Sequence, residues 1–125
     1  MKFINTGKAP KAIAPYSQGV VFFEGKLIQT CGQIPMDPDG NVVLGDIEAQ
    51  TLQTLRNIEE VLKAAGSGKD KIVKTTVFLS DLADFERMNK VYAEFMGNHR
   101  PARSTVEVSK LPRNVAIEIE ALAEI

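Results

Sequence analysis

The chain has 125 residues, of which 44% are hydrophobic and 25% are charged, and its formal net charge is -1. These values are typical of a globular protein with one core, so we expect a single domain over residues 1–125. They exclude the basic excess of a dedicated nucleic-acid-binding domain. No apolar run approaches the roughly 20 residues that a membrane-spanning helix requires, so no membrane partner is expected.

Cysteine and histidine are scarce, which limits the available chemistry. With one cysteine, Cys31, and one histidine, His99, the chain offers no intrachain disulfide and no Cys/His metal site. Together with the lack of a signal-peptide pattern, the single cysteine favours a reducing, cytoplasmic setting. His99 has no acidic or nucleophilic neighbour in the sequence, so we interpret it as a solvated loop residue rather than a catalytic base.

The first third of the chain predicts three short strands. A brief edge strand at Phe3–Ile4 comes first. Val20–Phe23 and Lys26–Cys31 follow, joined by Glu24-Gly25, which predicts a tight two-residue hairpin. Gly32 then interrupts the third strand. A β-bulge is the usual reason for such a glycine, and the open backbone beside it would also let a ligand approach.

One helix and one strand are predicted in the middle of the chain. Asp46 is a suitable N-cap for a helix that runs to about Ala65 and is ended by Gly66. Apolar residues recur in this helix at helical spacing, so one of its faces would cover the sheet. Residues 71–80 are rich in β-branched and aromatic side chains, and both faces of this run are partly apolar. The run therefore predicts a central strand.

A second helix is expected from a cap at Asp81 or Asp84 to about Met96, with Gly97 just beyond its end. Its apolar stripe is interpreted as core rather than as a cofactor site. Asn89 lies at the edge of the stripe, where its amide could face either water or a cleft. The stripe consists of Phe85, Met88, Val91, Tyr92, Phe95 and Met96.

Two alternating runs close the chain. Residues 102–108 and 115–125 alternate in the way that strands with one buried face do. The linker 109–113 has the length of a hairpin loop, so we predict that the two strands pair as an antiparallel hairpin. In the register that keeps the polar faces together, Arg103 lies beside Glu118. Taken alone, such a pair is typical of a solvated sheet face and contributes only about 0.2–1 kcal/mol.

This order of elements predicts an α+β fold, with a mixed six-stranded sheet and two helices packed on one face. The opposite face then has no cover within the chain. A half-apolar open face indicates burial by another copy, so we predict a homo-oligomer. The residues expected on this open face include Arg103, Thr105, Glu107, Glu118 and Leu122.

The closing segment also carries a family resemblance. The run from Pro101 to Pro112, continued by Ile117–Ala121, resembles the signature of the RidA/YjgF family, the reactive-intermediate (enamine/imine) deaminases. The resemblance spans nearly the whole chain. The other motifs that match in order are Ala14–Gly19, Cys31–Pro35, Ile72–Val77, and Asp84-Phe85 with Asn89.

The resemblance implies both an architecture and an activity. The fold would be chorismate-mutase-like, and the protein would be a homotrimer whose sheets close into a central barrel, with active sites between subunits. Active family members hydrolyse enamines and imines of small 2-oxo acids, such as 2-aminoacrylate, to the oxo acid and ammonia. They use no cofactor, so none is expected here.

The family's functional residues can be matched one at a time. Arg103 matches the arginine that grips the substrate carboxylate, for which a guanidinium fork is well shaped. Glu118 matches the glutamate that positions or activates the attacking water. Tyr16, in a loop bounded by proline and glycine, would come from a neighbouring subunit. The remaining positions matched to the substrate cleft are Cys31, Gly32, Asn89 and Thr105.

Some positions depart from the family pattern, and two other functions stay open. Thr105 stands where many members have cysteine, and Cys31 where serine or another small residue is usual. One alternative is a non-catalytic binder of 2-oxo acids, in which the arginine would act without turnover. The other is a ribonuclease or translation inhibitor. Its only support is a few basic residues, namely Lys8, Lys11, Arg100 and Arg113.

Overall fold

The computed structural model describes all 125 residues and shows an α+β fold, as predicted. Six strands form one sheet in the order β1-β2-β3-β6-β4-β5, in which only β4 and β5 are parallel. Both helices pack on one face of the sheet. The elements are β1 (Lys2–Ile4), β2 (Gly19–Phe22), β3 (Leu27–Thr30), α1 (Ile47–Ala64), β4 (Ile72–Leu79), α2 (Phe85–Met96), β5 (Ala102–Glu107) and β6 (Ile117–Glu124).

Helix α1 begins and ends where its capping residues predict. The Asp46 carboxylate accepts a hydrogen bond from the Ala49 N–H at 2.9 Å. Ala65 follows the last helical residue, and Gly66 adopts a left-handed φ of +84° that a glycine tolerates without strain. The predicted apolar stripe is buried against the sheet and α2.

Helix α2 is preceded by a single 3₁₀ turn, Leu82–Asp84, and the two candidate caps, Asp81 and Asp84, stand before the turn and before the helix respectively. Asp81 caps this turn by accepting the Ala83 N–H at 2.9 Å. Asp84 occupies the N-cap position of α2 but makes no capping side-chain bond. Gly97 ends the helix with a φ of +64°. The predicted core role of Met88, Tyr92 and Met96 is confirmed.

The alternation predicted for β6 is confirmed. Its residues on one side, from Ile117 to Ala123, are buried under the helices. Glu118, Glu120 and Leu122 point to the opposite, open face and are half-buried.

The predicted hairpin between the last two strands is wrong. Strand β5 pairs in parallel with β4, and β4 lies between β5 and β6. Helix α2 makes the crossover between β4 and β5, which is the usual connection between parallel neighbours. Arg103 therefore pairs with Thr75, whereas Glu118 pairs with Phe78.

The face assigned to Arg103 is also wrong. Thr75 is buried and its hydroxyl is bonded to Tyr92 of α2, so Thr75 and its strand neighbour Arg103 face the helices. Thr105 and Glu107 follow Arg103 on the same side, while Glu118 and Leu122 stay on the open face as expected. Alternation in β5 identified two faces but could not say which one meets α2.

The connection between β2 and β3 is longer than predicted. Phe22 pairs with Leu27, so four residues rather than two form the turn. Phe23, Glu24 and Gly25 all have positive φ, and the turn is closed by a 3.0 Å bond from the Lys26 N–H to the Phe23 carbonyl.

No helix is long and apolar enough to cross a membrane.

Candidate functional site

All but one of the residues predicted to form one site line two separate cavities. The first, called here the Glu118 cavity, measures about 520 Å³ and is lined by Lys11, Tyr16, Cys31, Gly32, Arg113 and Glu118, among others. The second, the Arg103 cavity, measures about 350 Å³ and is lined by Asn89, Tyr92, Ala93, Arg100, Pro101 and Arg103. Since Arg103 and Glu118 lie on opposite faces of the sheet, one chain does not bring them together.

A β-bulge builds the floor of the Glu118 cavity. Gln29 pairs with Leu122 and Gln33 pairs with Ile119, so four steps along one strand match three along the other. The extra residue takes the backbone near Gly32 out of the ladder, as the sequence suggested. Two hydrogen bonds between Gln33 and Ile119, of 2.8 and 3.0 Å, restore the pairing directly after the bulge.

Gly32 leaves space for the Glu118 side chain, and its backbone angles do not themselves call for a glycine. A Cβ at this position would lie 2.9 Å from Glu118 Cδ, closer than real Cβ atoms approach another atom, and 3.0 Å from Oε2. The glycine thus lets the Glu118 carboxyl approach the main chain. An alanine here would displace the carboxyl group.

The Glu118 carboxyl group is half-buried and has no cationic partner among the ion pairs of the chain. Burial raises its pKa, and the nearby charge of Glu120 raises it further. A carboxylate with a raised pKa accepts a proton from water more readily than a carboxylate with the ordinary pKa.

Cys31 lies beside this carboxyl group as a thiol. Burial raises its pKa, the Gln33 amide that donates to Sγ at 3.2 Å partly offsets this, and the Glu118 charge raises it again. The raised pKa keeps Cys31 in the protonated, weakly nucleophilic form. Cys31 follows the last residue of β3 and lines the Glu118 cavity.

Gln18 holds the wall that carries Tyr16, a role that the sequence patterns did not reveal. Its buried amide accepts the Thr6 N–H at 2.6 Å and donates to the carbonyls of Thr6 and Pro10 at 3.0 and 2.8 Å. These bonds tie residues 6–10 to the start of β2. Tyr16 projects from the same loop with half of its surface exposed.

In the Arg103 cavity, the guanidinium group contacts an amide and two aromatic rings, and it forms no ion pair with a carboxylate. Its NH1 donates to Asn89 Oδ1 at 2.7 Å, so the asparagine faces the cleft rather than bulk water. The guanidinium carbon lies 4.7 Å from the centre of the Tyr92 ring and 5.5 Å from that of Phe85. Burial raises the pKa of Tyr92, although Thr75 and Arg103 lower it in part, so the ring carries a neutral phenol.

Two further residues differ from the sequence interpretation. Thr105 lines neither cavity, and its buried Oγ1 has no hydrogen-bond partner. His99 is half-buried rather than solvated, and its Nε2 lies 2.7 Å from the Ile72 carbonyl, which it holds at the start of β4. No group of three or more His, Cys, Asp or Glu side chains could hold a metal ion.

This fold, a six-stranded mixed sheet with two helices, is that of the YjgF-type α+β proteins. The YjgF gene product of Escherichia coli matches it with a TM-score of 0.93 and 48% identity, over 99% of this chain and 98% of that one. The family model described as Endoribonuclease L-PSP matches residues 6–125. The chain belongs to this family, the RidA/YjgF family indicated by its motifs.

Close relatives in the family carry different names. A 2-iminobutanoate/2-iminopropanoate deaminase of Salmonella typhimurium is 49% identical, over 98% of this chain and 96% of the relative. A protein of Pyrococcus horikoshii described only as a RutC family protein is 51% identical, over 96% of this chain and 94% of the relative. Similarity therefore establishes the family and leaves the specific activity to be argued from the site.

Proposed function

We propose that this protein is a 2-iminobutanoate/2-iminopropanoate deaminase, which hydrolyses small 2-imino acids and their enamine tautomers, such as 2-aminoacrylate, to 2-oxo acids and ammonia. The observation that carries the proposal is the pair of unneutralised charged groups, the Arg103 guanidinium and the half-buried Glu118 carboxyl. Such a substrate needs both, one for its carboxylate and one for the water that attacks it. The deaminase name of the Salmonella relative supports this choice.

In the proposed reaction, Arg103 binds the substrate carboxylate and Glu118 takes a proton from water. An enamine is first protonated by solvent at its terminal carbon, and the iminium ion that results loses an N–H proton to give the imine. The water oxygen then bonds to the imine carbon as Glu118 takes one of its protons, and Glu118 passes this proton to the nitrogen to give a carbinolamine. The hydroxyl group of the carbinolamine next gives its proton to the nitrogen, its oxygen forms the carbonyl bond, and the carbon–nitrogen bond breaks as ammonia leaves. Orientation of one water by one base supplies the few kcal/mol that a reaction of this kind requires.

We further propose that each active site forms between two copies of the chain in a homotrimer, with Arg103 from one copy and Glu118 from another. Each copy would be a single domain, and the three sheets would close into a barrel. The open face supports this arrangement, because Phe3 is 66% exposed and Val106 on the edge strand β5 is 44% exposed. Apolar surface at an exposed sheet edge favours association with another chain.

A subunit-mixing experiment tests both proposals together. Arg103→Ala and Glu118→Ala should each abolish rapid hydrolysis of imines generated by an amino-acid oxidase, while the oligomer stays intact. In random trimers of the two variants, each mixed trimer would regain one complete site, so co-expression should restore about one quarter of the activity. No recovery would contradict the shared site, and full activity of the Arg103→Ala variant alone would contradict the deaminase.

Neither alternative function is favoured by a particular observation. Within one chain, the basic residues considered for RNA binding do not form one patch, since Lys11 and Arg113 line the Glu118 cavity and Arg100 lines the Arg103 cavity. A non-catalytic binder of 2-oxo acids would need Arg103 but not a carboxyl group with a raised pKa. Turnover that depends on Glu118 separates it from the deaminase.

A further inference from the structure

The side chains around Arg103 are held by specific contacts in addition to core packing. Phe85 and Tyr92 belong to the apolar stripe of α2, yet both rings face the guanidinium, at 5.5 and 4.7 Å from its carbon. The Tyr92 hydroxyl in turn lies 2.7 Å from Thr75 Oγ1 in a buried hydrogen bond. Thr75 is the residue that pairs with Arg103 across the two strands.

These contacts close a loop around the arginine. The backbone of Arg103 is held beside Thr75 by strand pairing, and the ring on which its guanidinium stacks is held by the same threonine. The stack restrains the plane of the guanidinium, and the 2.7 Å bond to Asn89 Oδ1 restrains rotation within that plane. Both restraints come from neutral groups, so the charge is not cancelled by a carboxylate.

The hydrogen bonding leaves one side of the fork available. The bond from NH1 to Asn89 is the only side-chain hydrogen bond that Arg103 makes. Its other donors can meet a carboxylate in the bidentate arrangement that suits a guanidinium. A fork that is already held in place loses less conformational freedom when it binds.

We propose that Tyr92, anchored by Thr75, acts as a positioning residue that holds the Arg103 guanidinium for the substrate carboxylate. Phe85 is the second ring in contact with the guanidinium, and Tyr92, Thr75 and Phe85 are together called the clamp. The proposal rests on the proposed function for the identity of the substrate. It adds that carboxylate affinity in this chain is set by a core tyrosine that does not touch the substrate's reacting atoms.

Three variants remove the clamp in steps. Tyr92→Phe and Thr75→Val each delete the anchoring hydrogen bond and keep the packing, and Tyr92→Leu deletes the ring. We expect Tyr92→Leu to raise KM for 2-iminopropanoate and the dissociation constant of pyruvate about tenfold, with kcat changed less than about twofold. The two milder variants should each raise both constants about threefold, and their double variant no further, because they share one bond.

A matched control separates positioning from stability. Thr54 is another fully buried threonine, bonded through Oγ1 to the Gln50 carbonyl in α1, and it lines neither cavity. Thr54→Val should lower the melting temperature as Thr75→Val does and leave KM and pyruvate binding unchanged. If Tyr92→Leu fails to fold, as judged by circular dichroism, the two milder variants still decide the question.

Coupling to Arg103 is the decisive measurement. In an Arg103→Lys background, where the planar fork is gone, Tyr92→Phe and Thr75→Val should change pyruvate affinity less than about twofold. The clamp is overturned if these variants leave pyruvate affinity of the parent protein unchanged, if they act equally in the Arg103→Lys background, or if the parent does not bind pyruvate. Pyruvate binding without imine hydrolysis would overturn only the deaminase proposal.

Discussion

The Glu118 cavity and the Arg103 cavity differ in how the chain surrounds a charged side chain. Main-chain features build the first, where a β-bulge and Gly32 admit a carboxyl group with no cationic partner. Side chains build the second, where two rings and an amide hold the guanidinium. Burial without a partner raises the pKa of Glu118, whereas the rings stabilise the cation and leave its hydrogen-bond donors usable. The first arrangement suits proton transfer and the second suits binding.

Substitution of each charged group should separate these two roles with the largest effects. We expect Glu118→Gln to lower kcat by a factor of about 10²–10⁴ with little change in KM, because the amide cannot accept the proton from water. Arg103→Gln should mainly raise KM, since it removes carboxylate binding. Steady-state kinetics with 2-iminopropanoate measure both constants. A glutamine at 118 that altered only KM would remove the distinction between the cavities.

The bulge is tested by adding one methyl group. Gly32→Ala places a Cβ within 3.0 Å of the Glu118 carboxyl, and a displacement of about 1 Å at a catalytic group can cost about 10²-fold in kcat/KM. The melting temperature should change little, since the side chain can move towards the cavity. Gly7→Ala is the matched control, because nothing lies within 4 Å of its new Cβ. Equal activity of the two variants would show that Gly32 has no role in placing Glu118.

The two cavities also differ in how much of them the sequence predicts. The cap at Asp46, the stripes of both helices and the inward face of β6 follow from local patterns, and the structure confirms them. The bulge at Gly32 was expected too, because a glycine in a strand has few explanations. The contact of Gly32 with Glu118 was not, since it depends on which strand lies beside β3.

Strand β5 shows why the other cavity was misplaced. It is an edge strand whose two faces are both largely exposed, so the residues around Arg103 and those around Ser104 are similarly polar. Alternation then defines two faces without indicating which one is buried. The order strand–helix–strand over residues 72–107 does favour a parallel pair of β4 and β5, and that signal outweighs the short linker after β5.

Gln18 should matter more for the stability of the Glu118 cavity than its position in a loop suggests. Gln18→Ala removes an amide that satisfies backbone groups of Thr6, Ala9 and Pro10, and leaving them unpaired should cost about 1–3 kcal/mol of unfolding free energy. Gln53→Ala is a suitable control, since Gln53 is half-buried and its bonds go to Asn57 and, at 3.5 Å, to Met36. Urea unfolding of both variants measures the difference, and equal losses would mean that Gln18 is no special anchor.

The pH dependence of kcat/KM gives the finest test of the unpaired carboxyl group. Burial first, and the charge of Glu120 second, raise the pKa of Glu118 above its ordinary value of 4.5. Only the ionised form accepts a proton, so activity should fall as the pH drops through this raised pKa. Glu120→Gln removes the second cause and should move the acidic limb to lower pH, by less than burial moves it upward.

The same shift has the opposite sign for folding. Because the folded state binds the Glu118 proton more tightly than the unfolded chain does, this group favours the folded state at low pH, and its contribution is lost as the pH rises through the folded pKa. Between the ordinary and the raised pKa, a falling pH should therefore lower activity while the Glu118 contribution to stability grows. Glu118→Gln should abolish that contribution, which a comparison of melting temperatures across this pH window measures. If Glu120→Gln leaves the acidic limb of the kcat/KM profile at the same pH, a group other than Glu118 controls that limb.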